Sequence, residues 1–390
     1  MYKRQAFYIA LGEKRGIPAS ELAGSISNDV LTAAAAKGTV VLPLEPAVRL
    51  CVDLIEYCTK NMPRFFPVQL KGIVLREVRA NMAQEMGFTF ASALCYIQEA
   101  LKRGHEINDV ARRFSWFCGA SHHIFEEAAK FRAARRLWAK LLKERFGATD
   151  PAAMSFRFLG ATSPAEFQVE EPLLNLVRGA CGVIACILGG AQTAGMPGYD
   201  EAYEIPSELS ARLSAGTCQI IAEETNITKT VDPLGGSYFV EHLTNRMEEE
   251  IAKKLKEIED YGGPIKAIAD GYMQRDLLNN FYKECDEIAS GERVIVRKTK
   301  YRLEEEEREP VLHKPNPEAV RRQIERLREV RAERNNAEVK ERLRRLREAA
   351  ESDENLMPYL IEAAKAYATI GEMAGTLKEV FGEYKETIVV

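Results

Sequence analysis

The chain has 390 residues, 46% of them hydrophobic, and a formal net charge of -4, enough to bury a sizeable core and to build two or more domains. A charge so nearly balanced gives no reason to expect nucleic acid as a partner, and no apolar run reaches membrane-spanning length. No secretory pattern stands at the N-terminus, and the eight cysteines (51, 58, 95, 118, 181, 186, 218 and 285) lack paired metal spacings, so they read as reduced core thiols of a cytoplasmic protein without a metal site.

From residue 24 to residue 195, short β-prone runs alternate with long amphipathic helices. The predicted strands are Gly24–Asn28, Val68–Gly72, Arg113–Cys118, Phe156–Ala161 and Gly190–Ala194, each followed by apolar residues at helical spacing. Repeated strand and helix implies a parallel sheet, and at this size a (β/α) barrel is the leading α/β architecture, although five strands do not close eight. Period two places Ser25 and Ser27 on one strand face, and Arg113 and Ser115 on one face of another. Adjacent residues of a helix point about 100° apart, so His122 and His123 are read as polar contacts at a helix start instead of a metal pair. Glu126 and Glu127 are read as first-turn glutamates favoured by the helix dipole.

In Thr230-Val231-Asp232-Pro233-Leu234-Gly235-Gly236-Ser237-Tyr238-Phe239-Val240-Glu241, Asp-Pro starts a turn, Gly-Gly permits positive φ, and Ser-Tyr-Phe-Val re-enters packed structure. Beyond Glu241 the pattern is helical. Pro310, Pro315 and Pro317 mark a linker, and the run from Arg321 to Arg331 alternates charges three and four apart around a narrow stripe of Ile324, Leu327 and Val330, as a solvated helix does.

The segment 223–241 resembles the region that closes the catalytic domain of methylmalonyl-CoA mutase and its relatives, the adenosylcobalamin-dependent acyl-CoA mutases. Phe125–Trp138, Glu56–Pro63 and Lys300–Glu304 look like the same family, collinearly from about residue 6 onward. The resemblance implies that residues 1–241 are the C-terminal part, about the last five strands, of a (β/α)8 TIM barrel that binds acyl-CoA. It implies that 242–390 form an α-helical C-terminal extension leading toward a cobalamin-binding domain. The chain then looks N-terminally truncated, and Met1–Gln5 have no counterpart in the family. The family's cobalt-ligating Asp-x-His-x-x-Gly signature surrounds none of His105, His122, His123, His242 or His313, so a separate small cobalamin-binding subunit is expected, in a dimer or heteromer.

Carried over by position, Arg113, Phe114 and Ser115 match a strand that contacts the CoA portion, and Arg64 matches a lysine with that duty. Ser25 and Ser27 line the path described for the pantetheine arm. Glu77 and the pair Glu201-Ala202 match positions near the corrin ring and adenosyl ribose. The departures are sharper. Ile73-Val74 stand where the family has Tyr-His, whose histidine hydrogen-bonds the thioester carbonyl, so no catalytic residue is assigned. Ser27 replaces a glutamine, and Lys37 replaces the arginine that binds a substrate carboxylate, keeping the charge without the two-pronged geometry. Leu159-Gly160-Ala161-Thr162-Ser163-Pro164 replaces His-x-Gln-Thr-Ser-Gly, and Gly195-Met196-Pro197 replaces His-Thr-Asn. The expected function is the large subunit of an acyl-CoA mutase acting on a bulkier or more apolar acyl group, with Ile73 and Val74 in the acyl pocket. The alternatives are a non-catalytic partner subunit and, more weakly, a CoA-binding assembly factor; retained Arg113, Ser115, Glu77 and Glu201 favour the enzyme.

Overall fold

The computed structural model describes residues 2–303 and 313–387; Glu304 and Pro310, used above, lie outside them. Helix α1 (Tyr2–Lys14) precedes strand β1 (Gly24–Ser25), and α2 (Leu31–Lys37) and α3 (Leu44–Asn61) lead to β2 (Phe65–Phe66) and β3 (Val68–Leu70). Then come α4 (Gly72–Glu77), α5 (Met82–Lys102), α6 (Ile107–Ala111), β4 (Phe114–Ala120), α7 (Ile124–Phe146), β5 (Phe158–Thr162), α8 (Asn175–Leu188) and β6 (Thr193–Gly195). The rest is helical: α9 (Glu208–Glu223), α10 (Tyr238–Tyr261), α11 (Pro264–Ala269), α12 (Tyr272–Ser290), α13 (Pro317–Glu333), α14 (Asn336–Ala350), α15 (Met357–Lys365) and α16 (Ile370–Phe381).

All described strand pairings are parallel, and neighbours follow chain order: β1 beside β2, then β3, β4, β5 and β6. Pro67, with no N–H to give to a ladder, separates β2 from β3. Ile26 spans the break, donating its N–H to Phe66 O at 3.1 Å and accepting from Gln69 N–H at 3.2 Å. Each of the five predicted strands holds a real one, with shifted ends; the second stops at Leu70 because Gly72 already opens α4. The ladders make a two-stranded sheet, β1-β2, and a four-stranded one, β3-β4-β5-β6, and among the described residues β1 and β6 have no second neighbour, so the α/β array is parallel but does not close.

The two faces of the sheet differ. Along β4 and β5, Phe114, Trp116, Cys118 and Phe158 are buried under helices, while Ser115, Phe117 and Leu159 alternate with them on a half-buried open face. Under the helices, Trp116 meets Trp138 of α7 edge-on at 4.7 Å and Phe158 stacks on Phe131 at 4.6 Å. Such contacts add about 0.5–1.5 kcal/mol each to the burial of the rings.

Helix α10 packs across α5 and α7, and its Ile251, Leu255 and Ile258 complete this main core. The division expected after Glu241 therefore falls inside the first turn of a helix that belongs to the sheet's own core. A second core joins α1 and α3 to α14, α15 and α16 through Ile9, Leu54, Leu346, Leu360 and Leu377. Arg49 of α3 ties the two ends of the chain by donating to the carbonyls of Ala349 and Ala350 in the last turn of α14 and of Glu354 just beyond it. Helix α13 is solvated along its length, with Ile324 46% and Leu327 38% exposed, as its alternating charges suggested.

Candidate active site

Around the C-terminal end of β4, Arg76, Glu85, Glu127 and Lys130 form a buried network. Lys130 Nζ lies 2.6 Å from Glu85 and 2.6 Å from Glu127, and Arg76 Nη2 lies 2.9 Å from Glu127. The backbone of Gly119 joins it, donating to Glu85 at 2.7 Å and accepting from Lys130 at 2.5 Å. A Cβ on Gly119 would sit 2.7 Å from the Arg76 side chain, which is why strand and helix meet there over glycine. Burial alone would push the Glu127 carboxyl up, but Lys130 and Arg76 bring it down to about 2. Glu127 is a first-turn glutamate of α7, as its position suggested, but a buried and paired one, whereas Glu126 beside it is exposed.

The open face carries an ordered series of side chains along the strands. At the strand starts stand three arginines. Arg64 is exposed; Arg113, half-buried, donates to Pro63 O at 2.7 Å; and the Arg157 guanidinium lies 5.9 Å from the centroid of the Phe66 ring. Burial, and then the charge of Arg112, lower the pKa of Arg113, whose Nε has no partner. One step up come neutral polar groups: Ser27 Oγ donates to Gln69 Oε1 at 2.8 Å, and Gln69 pairs in register with Ser115, whose Oγ reaches Val68 O at 3.4 Å. Ser25 is exposed on β1. At the C-terminal ends the face turns apolar: Ile73, Val74 and Ala161 are buried against Ala36, Phe117 and Leu159.

Above this apolar patch lies a charged rim. Glu77, one turn on from Ile73 and Val74, binds Lys37 of α2 at 2.6 Å, so the lysine expected to hold a substrate carboxylate already has one. Burial raises the pKa of Glu201, and the charge of Glu77 adds to the rise. Ala202 is half-buried beside it.

Phe114 requires a correction. It alternates with Arg113 and Ser115, and is therefore buried in the helix-covered core beneath α6, away from the open face. The sequence reading passed over Gln69, Lys71, Phe117 and Arg157, though period two from Ser115 points to Phe117 and period two from the serine-bonded Gln69 points to Lys71.

His122 and His123 stand before α7, their rings 5.1 Å apart, with His122 Nδ1 3.5 Å from Glu166; burial lowers the His122 pKa. They border two adjoining cavities of 420 and 330 Å³ that share Arg79, His123, Glu166 and Arg293. Among the described residues, no group of three His, Cys, Asp or Glu side chains could hold a metal ion, and no helix is long and apolar enough to cross a membrane. Cys51, Cys58, Cys118 and Cys186 are buried free thiols, while Cys285 is exposed.

The turn 230–241 clips onto α7: Arg132 binds Asp232 at 2.9 Å and Glu241 at 2.7 Å, and Glu241 accepts from Gly236 N–H at 3.0 Å. It lies outside the open face. Residues 3–383 match the methylmalonyl-CoA mutase family. The chain is 38% identical over 385 residues to the 2-hydroxyisobutanoyl-CoA mutase large subunit of Aquincola tertiaricarbonis, covering 98% of this chain and 68% of that protein. It is 36% identical to methylmalonyl-CoA mutase of Rhizobium meliloti (97% and 53% covered) and to the human mitochondrial methylmalonyl-CoA mutase (97% and 51%). The chain thus spans about half the length of these two methylmalonyl-CoA mutases.

Proposed function

The chain belongs to the methylmalonyl-CoA mutase family, and from that premise we propose that it is the large-subunit component of an adenosylcobalamin-dependent acyl-CoA mutase whose substrate is not methylmalonyl-CoA. The open face is then the inner wall of a (β/α) barrel of which these are consecutive strands. Its series of side chains supports the reading. Arginines at the strand starts suit phosphates, neutral Ser27, Gln69 and Ser115 suit the amides and hydroxyl of pantetheine, and Ile73, Val74, Phe117, Leu159 and Ala161 suit an acyl group without polar substituents. The seven residues of strand from Phe114 to Ala120 cover about 23 Å, the scale of an extended arm.

When bound, adenosylcobalamin supplies the radical that begins a carbon-skeleton rearrangement. The rim fits such a partner on one count: Glu77 and Glu201 are carboxylate acceptors at the apolar end, suited to ribose or corrin amide donors. The cobalt ligand would come from a separate small subunit. This chain's own residues hold the CoA arm along the open face, enclose the acyl group between Ile73, Val74 and Phe117, and exclude water there. The assembly we propose is a cytoplasmic dimer or heteromer.

A second reading, a non-catalytic partner subunit, draws on Ile73 and Val74, which offer the thioester no proton donor. The two readings separate when the full-length protein and its cobalamin subunit are combined with adenosylcobalamin and a panel of acyl-CoAs. The enzyme reading expects at least one acyl-CoA to elicit the cob(II)alamin radical signal. Binding of CoA esters with no signal from any of them leaves the partner subunit.

A further inference from the structure

Lys71 sits where the neutral stretch of the open face gives way to the apolar patch. It follows Gln69 by two residues, which places it on the same face as the serine-bonded Gln69, and it directly precedes α4 with Ile73 and Val74 in its first turn. The charges around it come from three elements. Asp29, after β1, is buried and already accepts from Tyr96 Oη at 2.9 Å, from Thr32 and from Lys71's own backbone N–H at 3.1 Å. Lys37 of α2 and Glu77 of α4 are paired with each other, and Glu201 lies beyond Glu77. Among the described residues no hydrogen bond or ion pair reaches Lys71 Nζ, so a half-buried ammonium group stands at this junction with its donors unused. Burial lowers the pKa of Lys71, which the charge of Asp29 partly offsets.

We propose that Lys71 is a catalytic residue, its ammonium group donating a hydrogen bond to the thioester carbonyl of the bound acyl-CoA and polarising it where Ile73 and Val74 cannot. This rests on the mutase reading above. A CoA arm lying along Ser27, Gln69 and Ser115 with its acyl group against Ile73 and Val74 brings one polar group to the boundary between them, the thioester oxygen. The proton stays on nitrogen, and the donor acts most strongly where negative charge grows on that oxygen. Lys37, held by Glu77, is not free to take this part.

The test uses the full-length protein assembled with its cobalamin subunit, as wild type, Lys71→Met and Lys71→Arg. Its first readout needs no turnover: equilibrium binding of isobutanoyl-CoA against S-isobutyl-CoA, the thioether in which CH2 replaces the carbonyl. Lys71→Met should weaken the thioester about tenfold and leave the thioether unchanged, with Lys71→Arg recovering part of the loss. With any acyl-CoA that is turned over, Lys71→Met should lower kcat by about 10²–10³ and raise KM by no more than the roughly tenfold loss seen in binding. Wild-type kcat should fall as alkaline pH deprotonates Lys71, and Lys71→Arg should move that fall to higher pH. Equal losses for thioester and thioether, or none for either, overturn the role of Lys71 and leave the mutase reading standing. Failure of both compounds to bind the wild type overturns the mutase reading itself.

Discussion

Arg76 and Glu77 are neighbours on α4, yet they face opposite worlds. Arg76 turns into a network where two cations meet two carboxylates and the backbone of Gly119, all of it nine-tenths buried or more. Glu77 turns to the open face, where one ion pair, one unpartnered ammonium group and a carboxylate of raised pKa share a wet rim. The lesson is in the saturation. Groups whose donors and acceptors are used up hold the fold, and groups left with unused capacity beside a cleft are available to a ligand.

The contrast can be broken most directly at Lys130. Replacing it with Met strands Glu85 and Glu127 without their shared cation, and the expected loss is about 3–5 kcal/mol in denaturant unfolding. Lys71→Met should leave the unfolding curve nearly unmoved; an equal loss there would erase the distinction. Acid sharpens it next. Because the Glu127 carboxyl is held at about 2 against an ordinary 4.5, its stabilisation is present above pH 4.5 and fades as pH falls toward 2. The melting-temperature gap between wild type and Glu127→Gln should therefore close across that window, and a gap that persists at its acid end would contradict the network's role. Arg113→Gln should weaken CoA-ester binding about tenfold and flatten its salt dependence, with stability unchanged, in titrations at two ionic strengths. The smallest effect is expected at the far end of the molecule. Arg334→Ala removes a two-pronged pair with Glu372 and a bond to Tyr367 O, and should cost about 1 kcal/mol, seen as earlier hydrogen exchange in α16.

Much of this was legible from the chain because period and position are local. Alternation along Arg113-Phe114-Ser115-Trp116 gave both faces of β4, and the charge run at 321–331 announced a solvated helix. The family was legible in the turn 230–241, although that turn touches none of the open-face residues and serves to fasten α10 to α7 through Arg132. What stayed hidden depends on partners far apart in sequence. Glu127 looks like any first-turn glutamate until Arg76, fifty-one residues away, is seen to reach it. Lys37 looks like a free cation until Glu77 closes on it. Phe114 is a different case, since alternation alone already turns it away from Arg113 and Ser115. The second predicted strand starts at Val68, as β3 does, but runs too far at its other end, where Gly72 already opens α4, and β2 on the far side of Pro67 is missed.

Gly119 carries a consequence for how such a protein can change. Strand β4 is clamped from behind through that glycine's own N–H and C=O, by charges that never enter the cleft. Its front is therefore free to be rewritten. Ile73, Val74, Phe117, Leu159 and Ala161 form a small patch apart from the main core, so exchanging them alters what the wall accepts while the clamp keeps the wall in place. If the patch holds the acyl group as proposed, a lineage or an engineer can change acyl preference here residue by residue while the clamp on Gly119 keeps the strand folded.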